Sequence, residues 1–244
     1  MPAETGIVAC GGHRQTRPNR VVTSKSEFGR LMAEVVSRVQ PELREAGFRK
    51  RRHTFNRTTD EGLVHVVNFQ MGQYPLAPDI PPIRYSMWGS FTVNLGVFVP
   101  EVHEVRFGEA LRFVNEYQCE TSLRWRLGEF LDEPIDAWWD LRESLDTQTE
   151  EVVALLRDRG LPWLDTFRTR ADILLAWEDT GRMEPWRRDK LTIAAMVILA
   201  ERGDERRARK TLEEYVATIE QEPHKRWVLQ EFAPRVGLAG LGET

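Results

Sequence analysis

The chain has 244 residues, of which 41% are hydrophobic, and a formal net charge of −4. This length permits a sizeable buried core, and the eight tryptophans and eleven phenylalanines argue against intrinsic disorder. The longest apolar run, residues 192–200, is shorter than the roughly 20 residues of a membrane span, and the N-terminus lacks a signal-peptide pattern. Two cysteines are too few for a disulfide framework, so a cytoplasmic protein is expected.

Three parts are predicted along the chain. Residues 1–23 lack hydrophobic periodicity and are expected to form a flexible tail. Residues 24–178 are predicted to form an α+β domain, because strand patterns come first and helix patterns follow. Residues 179–244 are predicted to form a C-terminal helical extension packed on that domain.

The first element is an amphipathic helix. Ser24-Lys25-Ser26-Glu27 has the pattern of a capping box, and apolar residues follow at helical spacing up to Val39. Pro41 is expected to bend or break the helix, and Gly47 is well placed to end the segment.

Four strands are predicted next, at about 48–58, 63–71, 89–99 and 119–131. The turn Asp60-Glu61-Gly62 joins the first two as a hairpin. A proline-rich loop precedes the third strand, and a short helix is predicted at 106–117. The expected fold is a four-stranded, mainly antiparallel sheet packed by helices on one face.

The chain becomes helical after Pro134. Apolar residues from Trp138 to Leu156 predict a helix that ends at Gly160. More helices are expected around 161–179, 186–202, 204–220 and 224–236. The pair around Gly203 resembles a tetratricopeptide-type hairpin, without a second copy at that period.

Polar residues occupy one face of the predicted sheet. Strand alternation places six of them together, which are Asn68, Gln70, Thr92, Asn94, Arg124 and Arg126. Asparagine is depleted in strand interiors, whereas amides and arginines together suit a peptide, an anion or an acidic surface. Two alternatives remain open: an ordinary solvated face without a function, or buried amides that hold loop backbone.

A basic cluster lies at Arg49-Lys50-Arg51-Arg52. Residues 1–60 hold 12 Lys and Arg against 6 Asp and Glu, whereas the rest of the chain is acidic. The cluster is typical of a charged edge strand that resists aggregation, and binding of nucleic acid is the alternative.

Signatures of catalysis and of metal binding are missing. The sequence has no phosphate-binding loop, nucleophile elbow, HExxH or CxxC motif, so no catalytic residue, metal ligand or cofactor is predicted. His65 is expected to be a structural histidine on the core side. Asp136 is expected to cap a helix, and Trp138-Trp139 to pack at the core and its rim.

Several blocks resemble the domain of unknown function 4304 family over roughly residues 26–175. In chain order they are Gly47-Phe48-Arg49-Lys50, Thr54-Phe55-Asn56-Arg57, Gly62-Leu63-Val64, Val67-Asn68-Phe69-Gln70, Phe91-Thr92-Val93-Asn94-Leu95-Gly96-Val97-Phe98, Trp125-Arg126-Leu127-Gly128 and Trp138-Trp139. The resemblance implies a bacterial cytoplasmic α+β domain and assigns no catalytic residue.

Three functions are therefore carried forward. The leading hypothesis is a non-enzymatic binding or adaptor protein that uses the polar sheet face, with an immunity-type role as one form. The second is an enzyme that handles a small polar or anionic molecule or a nucleotide on the same face. The third is nucleic-acid binding through Arg49–Arg52, which the acidic remainder of the chain disfavours.

Overall fold

The computed structural model describes residues 25–72, 87–179, 181 and 185–240. The predicted tail, Ser24 of the capping-box pattern, and most of the proline-rich loop lie outside the described residues.

Six strands form one antiparallel sheet, and the fold is of the α+β class. In chain order the strands are β1 Arg49–Arg51, β2 Thr54–Thr58, β3 Val64–Met71, β4 Ser90–Phe98, β5 Arg124–Arg126 and β6 Trp139–Asp140. The spatial order is β1-β2-β3-β4-β5, and β6 pairs with β4 beside β5. Neighbouring strands are thus mostly consecutive in sequence, as in a meander.

Nine helices are described, several of them continuous with one another. They are α1 Lys25–Glu45, α2 Pro100–Phe107, α3 Leu145–Leu155, α4 Leu161–Asp165, α5 Arg170–Glu178, α6 Pro185–Glu201, α7 Glu205–Thr218, α8 Glu222–Trp227 and α9 Ala233–Arg235. Turns of π-helix at 156–160 and 228–232 join α3 to α4 and α8 to α9.

The main core lies between one sheet face and the helices. A ladder of rings crosses that face through Phe55, Phe69, Phe91 and Trp139, with successive centroids 6.0, 6.4 and 5.6 Å apart. Each buried large side chain contributes about 1.5–3 kcal/mol. The core extends without interruption into α6, whose residues 193–199 are all buried, as expected for the longest apolar run.

The opposite sheet face is half covered, which differs from the predicted one-sided packing. Residues 108–120, which follow α2 and are called the cover segment, fold over one end of this face, where Val66, Phe98, Val114 and Cys119 make a second, smaller apolar cluster. The part of this face outside the smaller cluster carries the predicted polar residues, of which Thr92 and Asn94 are buried.

The prediction that Pro41 interrupts the first helix is wrong. α1 runs through Pro41 to Glu45, and Val39 and Leu43 on either side of it are fully buried. Ser37, whose carbonyl loses its helical donor, is exposed, so water can replace that hydrogen bond. Gly47 ends the segment with φ of 87°, as predicted.

Two predicted strands have different bounds. The stretch 48–58 is a hairpin of β1 and β2, turned by Arg52 at a positive φ of 57°. Only three residues of 119–131 form a strand, because 3₁₀ turns at 121–123 and 127–130 flank β5. With β6 included, the sheet has six strands where four were expected.

Two predicted helices are displaced. The one expected at 106–117 is α2, which begins with Pro100 at its first position and ends before Gly108 at φ of 73°. The helix expected from Trp138 begins instead at Leu145, because Trp139 and Asp140 pair with β4.

The α6 and α7 hairpin turns at Gly203, as predicted, with φ of 76°. The division of the chain near residue 178 stays a prediction. Within the described residues, no helix is long and apolar enough to cross a membrane.

Candidate functional site: a polar row and a basic cleft

A row of polar side chains crosses the sheet on the face opposite the main core, beside the smaller apolar cluster. The strand register places Thr54 opposite Asn68, Asn68 opposite Asn94, and Asn94 opposite Arg126. Because side chains directly opposite each other share a face, these four residues, the polar row, lie side by side. Gln70 and Thr92 face each other in the next position along β3 and β4.

Hydrogen bonds tie the amides of this row to one another. The amide of Asn94 donates from Nδ2 to Gln70 Oε1 at 2.9 Å and to Asn68 Oδ1 at 3.3 Å. Asn68 Nδ2 in turn donates to Thr54 Oγ1 at 2.8 Å. The interpretation that these amides hold loop backbone is therefore replaced by a side-chain network, in which Asn94 is only 7% exposed and Gln70 faces solvent.

A cleft of about 410 Å³ lies at the β5 end of the polar row. Gln70 and Asn94 form part of its lining, together with Arg124 and Arg126 from β5, and Lys190 comes from the first half of α6. The cleft therefore joins the sheet face to a helix about sixty residues further along the chain.

Arg187 fixes α6 against the edge of the sheet. Its guanidinium donates to the Arg124 carbonyl and to Glu129 Oε2, both at 2.8 Å. The same group lies 4.2 Å from the ring centroid of Trp125 and 4.6 Å from that of Trp186. With 6% of its surface exposed, Arg187 acts as a structural cation that shapes the cleft wall.

Two cations of the cleft lack a close acidic partner. In the described part of the chain, neither Arg124 nor Lys190 forms a close ion pair with a carboxylate. Glu116 and Glu129 also line the cleft, and the charge of Arg124 opposes the rise that burial causes in the pKa of the Glu120 carboxyl. Lys190 Nζ lies 5.0 Å from the ring centroid of Trp186, which is 49% exposed. Unpaired cations beside an aromatic ring suit an incoming carboxylate or phosphate.

Arg126 is differently placed, since its guanidinium pairs with Asp136 and lies 5.3 Å from the ring centroid of Trp138. The prediction that Asp136 caps a helix is wrong, because Ser144 caps α3 instead. Trp139 is buried and Trp138 half-buried, so the core-and-rim prediction for this pair is confirmed.

Two buried polar atoms near the row have no hydrogen-bond partner among the described residues. One is the hydroxyl of Thr92, opposite Gln70, and the other is the indole N–H of Trp138, beneath Arg126. A buried polar group without a partner costs about 1–3 kcal/mol. Because neither atom is exposed to solvent and neither residue lines the cleft, both lower the stability of the fold and offer nothing to a bound molecule.

His65 lies on the core face and is structural, as predicted. Its Nδ1 accepts from Arg57 at 2.9 Å, and its Nε2 donates to the Phe167 carbonyl at 2.8 Å. Burial lowers the pKa of His65 to about 4, against the raising effect of the Phe167 hydrogen bond. Arg57 also pairs with Asp165 at 2.6 Å.

A buried carboxyl and a buried thiol lie at the C-terminal end of the cover segment. Burial raises the pKa of Glu120, and the nearby Arg106 guanidinium, 3.5 Å away, opposes this effect. Burial also raises the pKa of the Cys119 thiol, and the charge of Glu120 adds to the shift. Neither group lines the cleft, but the charge of Arg124, which does, acts to lower the pKa of both.

The basic cluster lies at the other edge of the sheet. Arg49–Arg51 form β1, the edge strand, and all three side chains are exposed. This is the place that the charged-edge interpretation requires. Nucleic-acid binding through Arg49–Arg52 stays a prediction.

The structure brings four of the six predicted residues to the cleft, which are Gln70, Asn94, Arg124 and Arg126. Asn68 lies behind them in the hydrogen-bonded row, and Thr92 is fully buried. The sequence analysis missed Trp186, Arg187 and Lys190. The sequence signal for these residues is the cluster of basic residues and one tryptophan at the start of α6. That cluster predicts a helix but does not by itself indicate a binding site.

No group of His, Cys, Asp and Glu side chains in the described ranges has the arrangement of a metal site.

Comparison with known proteins gives one positive finding. The model of the family described as "Domain of unknown function (DUF4304)" matches residues 39–166, a little over half of the chain. No curated protein and no solved structure matches.

Proposed function

We propose that this chain, which belongs to the domain of unknown function 4304 family, is a non-enzymatic adaptor that binds an acidic segment of a partner protein. The cleft receives a carboxylate or phosphate group of that segment. The polar row beside the cleft contacts the segment's backbone.

The observation that carries this proposal is the pair of cations without a close acidic partner. Most other arginines around the site are engaged: Arg126 with Asp136, and Arg187 with Glu129. Arg124 and Lys190 remain available in the cleft. Because charge-assisted hydrogen bonds contribute about 1.5–3 kcal/mol each, a bound anion has a clear energetic reason to lie there.

The network behind the cleft supports recognition by a fixed surface. Asn94 is held by two acceptors, so the outward-facing amide of Gln70 is anchored through its oxygen and presents its N–H groups to solvent. A pre-positioned donor loses little side-chain entropy on binding. This arrangement suits a peptide carbonyl next to the bound acidic group.

The concave shape of the cleft supports a second candidate, a small anionic molecule as ligand or substrate. A volume of about 410 Å³ lies within the range typical of small-molecule sites. The experiment below includes free phosphate and free glutamate, so that the two candidates give different results.

We also propose a bacterial cytoplasmic location. Its support is the resemblance to this family together with the low cysteine content, since Cys119 is buried as a free thiol.

The test is calorimetric titration of the full-length protein with an acetylated hexaglutamate peptide, sodium phosphate and free glutamate. The double variant Arg124→Gln/Lys190→Gln should bind the peptide at least tenfold more weakly than wild type, because it lacks both available cations. The matched control is Arg202→Gln/Arg206→Gln, which removes the same charge at exposed positions outside the cleft and should bind as wild type does.

Three outcomes are informative. Saturable peptide binding that depends on the cleft cations supports the adaptor, and saturable binding of phosphate or glutamate alone supports the small-molecule candidate. Equal weakening in both double variants would mean that the peptide responds only to net charge, and both candidates would then fail.

A further inference from the structure

A second cavity, of about 540 Å³, lies on the same face of the sheet at its opposite end. Thr58, Val64 and Phe98 face each other across β2, β3 and β4 and form its floor. The volume is within the range of small-molecule sites. This cavity is separate from the cleft and shares no lining residue with it.

The wall of this cavity is held in place by specific hydrogen bonds. Asn56 Nδ2 donates to the Val114 carbonyl at 2.9 Å, and the Val114 N–H donates to Asn56 Oδ1 at 2.8 Å. One side chain thus pairs with the backbone of the cover segment as a neighbouring strand would. The cavity is therefore a built feature between the sheet and the segment at 111–114.

One part of its mixed lining is apolar. Phe98 and Val114 belong to the smaller apolar cluster of this face, and Val64 and Leu111 pack against that cluster. Phe113 adds an aromatic wall. Surfaces of this kind bind a hydrocarbon body, because contact removes apolar area from water.

Two arginines stand at the rim of the cavity. Arg49 from β1 and Arg112 from the cover segment both line it, and both are exposed. Within the described ranges, neither guanidinium group has a hydrogen bond or an ion pair. Guanidinium groups bind carboxylates in a bidentate manner, so the rim selects an anionic head group.

We propose that this cavity binds a carboxylate carried on an apolar body, with the body against Val64, Phe98 and Leu111 and the carboxylate between Arg49 and Arg112. Two sources share this chemistry: a free medium-chain carboxylic acid, and the C-terminus of a peptide whose last residue is apolar. The proposal is independent of the function assigned to the cleft.

The test is calorimetric titration of the full-length protein with octanoate, with octanamide, and with the peptide acetyl-Gly-Gly-Leu. Octanoate or the peptide should bind with one-to-one stoichiometry, and octanamide at least tenfold more weakly than octanoate, because it lacks the charge. Arg49→Gln/Arg112→Gln should weaken binding at least tenfold, whereas Arg202→Gln/Arg206→Gln, which removes two exposed charges that line neither the cavity nor the cleft, should leave it unchanged.

A second variant keeps the test decisive if the arginines prove redundant. Thr58→Trp places a large ring at an exposed position of the cavity floor and should abolish binding while circular dichroism stays that of wild type. Binding by the peptide alone assigns the source as a chain terminus and supports the proposal. The proposal is overturned if neither octanoate nor the peptide saturates at millimolar concentration, if octanamide binds as octanoate does, or if both rim and floor variants bind as wild type does.

Discussion

Replacing His65 by glutamine should flatten the dependence of stability on pH between about pH 7.5 and about pH 5. The imidazole is fully buried, and burial is the main reason why its pKa falls to about 4 from 6.5. The groups facing it act in both directions: the Phe167 carbonyl and Asp165 raise the pKa, while Arg57 and Arg168 lower it.

The sign follows from proton uptake. Because the folded pKa lies below the unfolded one, the unfolded chain binds the proton first as pH falls, and the folded state loses stability from about pH 6.5 downward. For a shift from 6.5 to about 4, the loss between about pH 7.5 and about pH 5 is roughly 2 kcal/mol. Glutamine keeps one donor and one acceptor but does not titrate.

The assay is urea unfolding of wild type and His65→Gln, followed by tryptophan fluorescence, at the two pH values. We expect the wild type to lose about 2 kcal/mol more than the variant over this range, with unchanged m-values. Equal losses in the two proteins would refute the assignment of His65 as a buried neutral histidine.

Three further predictions concern the polar row, the packing around two glycines, and the burial of Cys119. Asn94→Ala should lower the free energy of unfolding by about 1–3 kcal/mol in urea, because two acceptors lose their donor; a change below about 0.5 kcal/mol would contradict the network. Gly96→Ala should destabilise the fold by about 1–3 kcal/mol, because the new Cβ would lie 2.7 Å from Cys119 Sγ. Gly29→Ala, at an open position in a helix, should stabilise the fold by about 0.5–1 kcal/mol. If Gly96→Ala melted at a higher temperature than Gly29→Ala, this description of the packing would be contradicted. In a Cys10→Ser background, Cys119 should resist iodoacetamide at neutral pH until urea unfolds the chain, because burial raises its pKa and blocks access; rapid labelling of the native protein, read by mass spectrometry, would argue against its placement.

The polar row was within reach of the sequence because strand geometry is simple. Side chains alternate with period two, so Asn68 and Gln70 had to share a face, as did Thr92 and Asn94. A meander of consecutive strands then brings these pairs together. Their hydrogen-bond network needed the register, which the sequence did not provide.

The far wall of the cleft was out of reach. Lys190 lies fifty residues beyond β6, the last strand of the sheet, and its position depends on how α6 packs against the edge strand through Arg187. Nothing local in the pattern at 185–201 indicates which face of that helix meets the sheet. Residue propensity and hydrophobic periodicity predict the helix, but they do not predict which residues of other elements it packs against.

Local signals were also misjudged where tertiary contacts decide. Pro41 remains inside α1 because Val39 and Leu43 anchor both sides of it in the core. By contrast, α2 carried its own signal, with Pro100 at the first helical position and Gly108 just past the end. The helix predicted at 106–117 rests instead on the apolar residues around Gly108, and it is therefore placed too late in the chain.

The most direct test of the proposed adaptor is an NMR titration of the full-length protein, labelled with ¹⁵N, against the acetylated hexaglutamate peptide. The indole N–H signals of the eight tryptophans, assigned by single Trp→Phe variants, report where the peptide binds. We expect saturable shifts of the indole signals of Trp125 and Trp186, which line the cleft. We expect no shift for Trp227, which stacks on Phe232 outside the cleft. Shifts confined to other tryptophans, or no shift at all, would contradict the assignment of the cleft as the binding site.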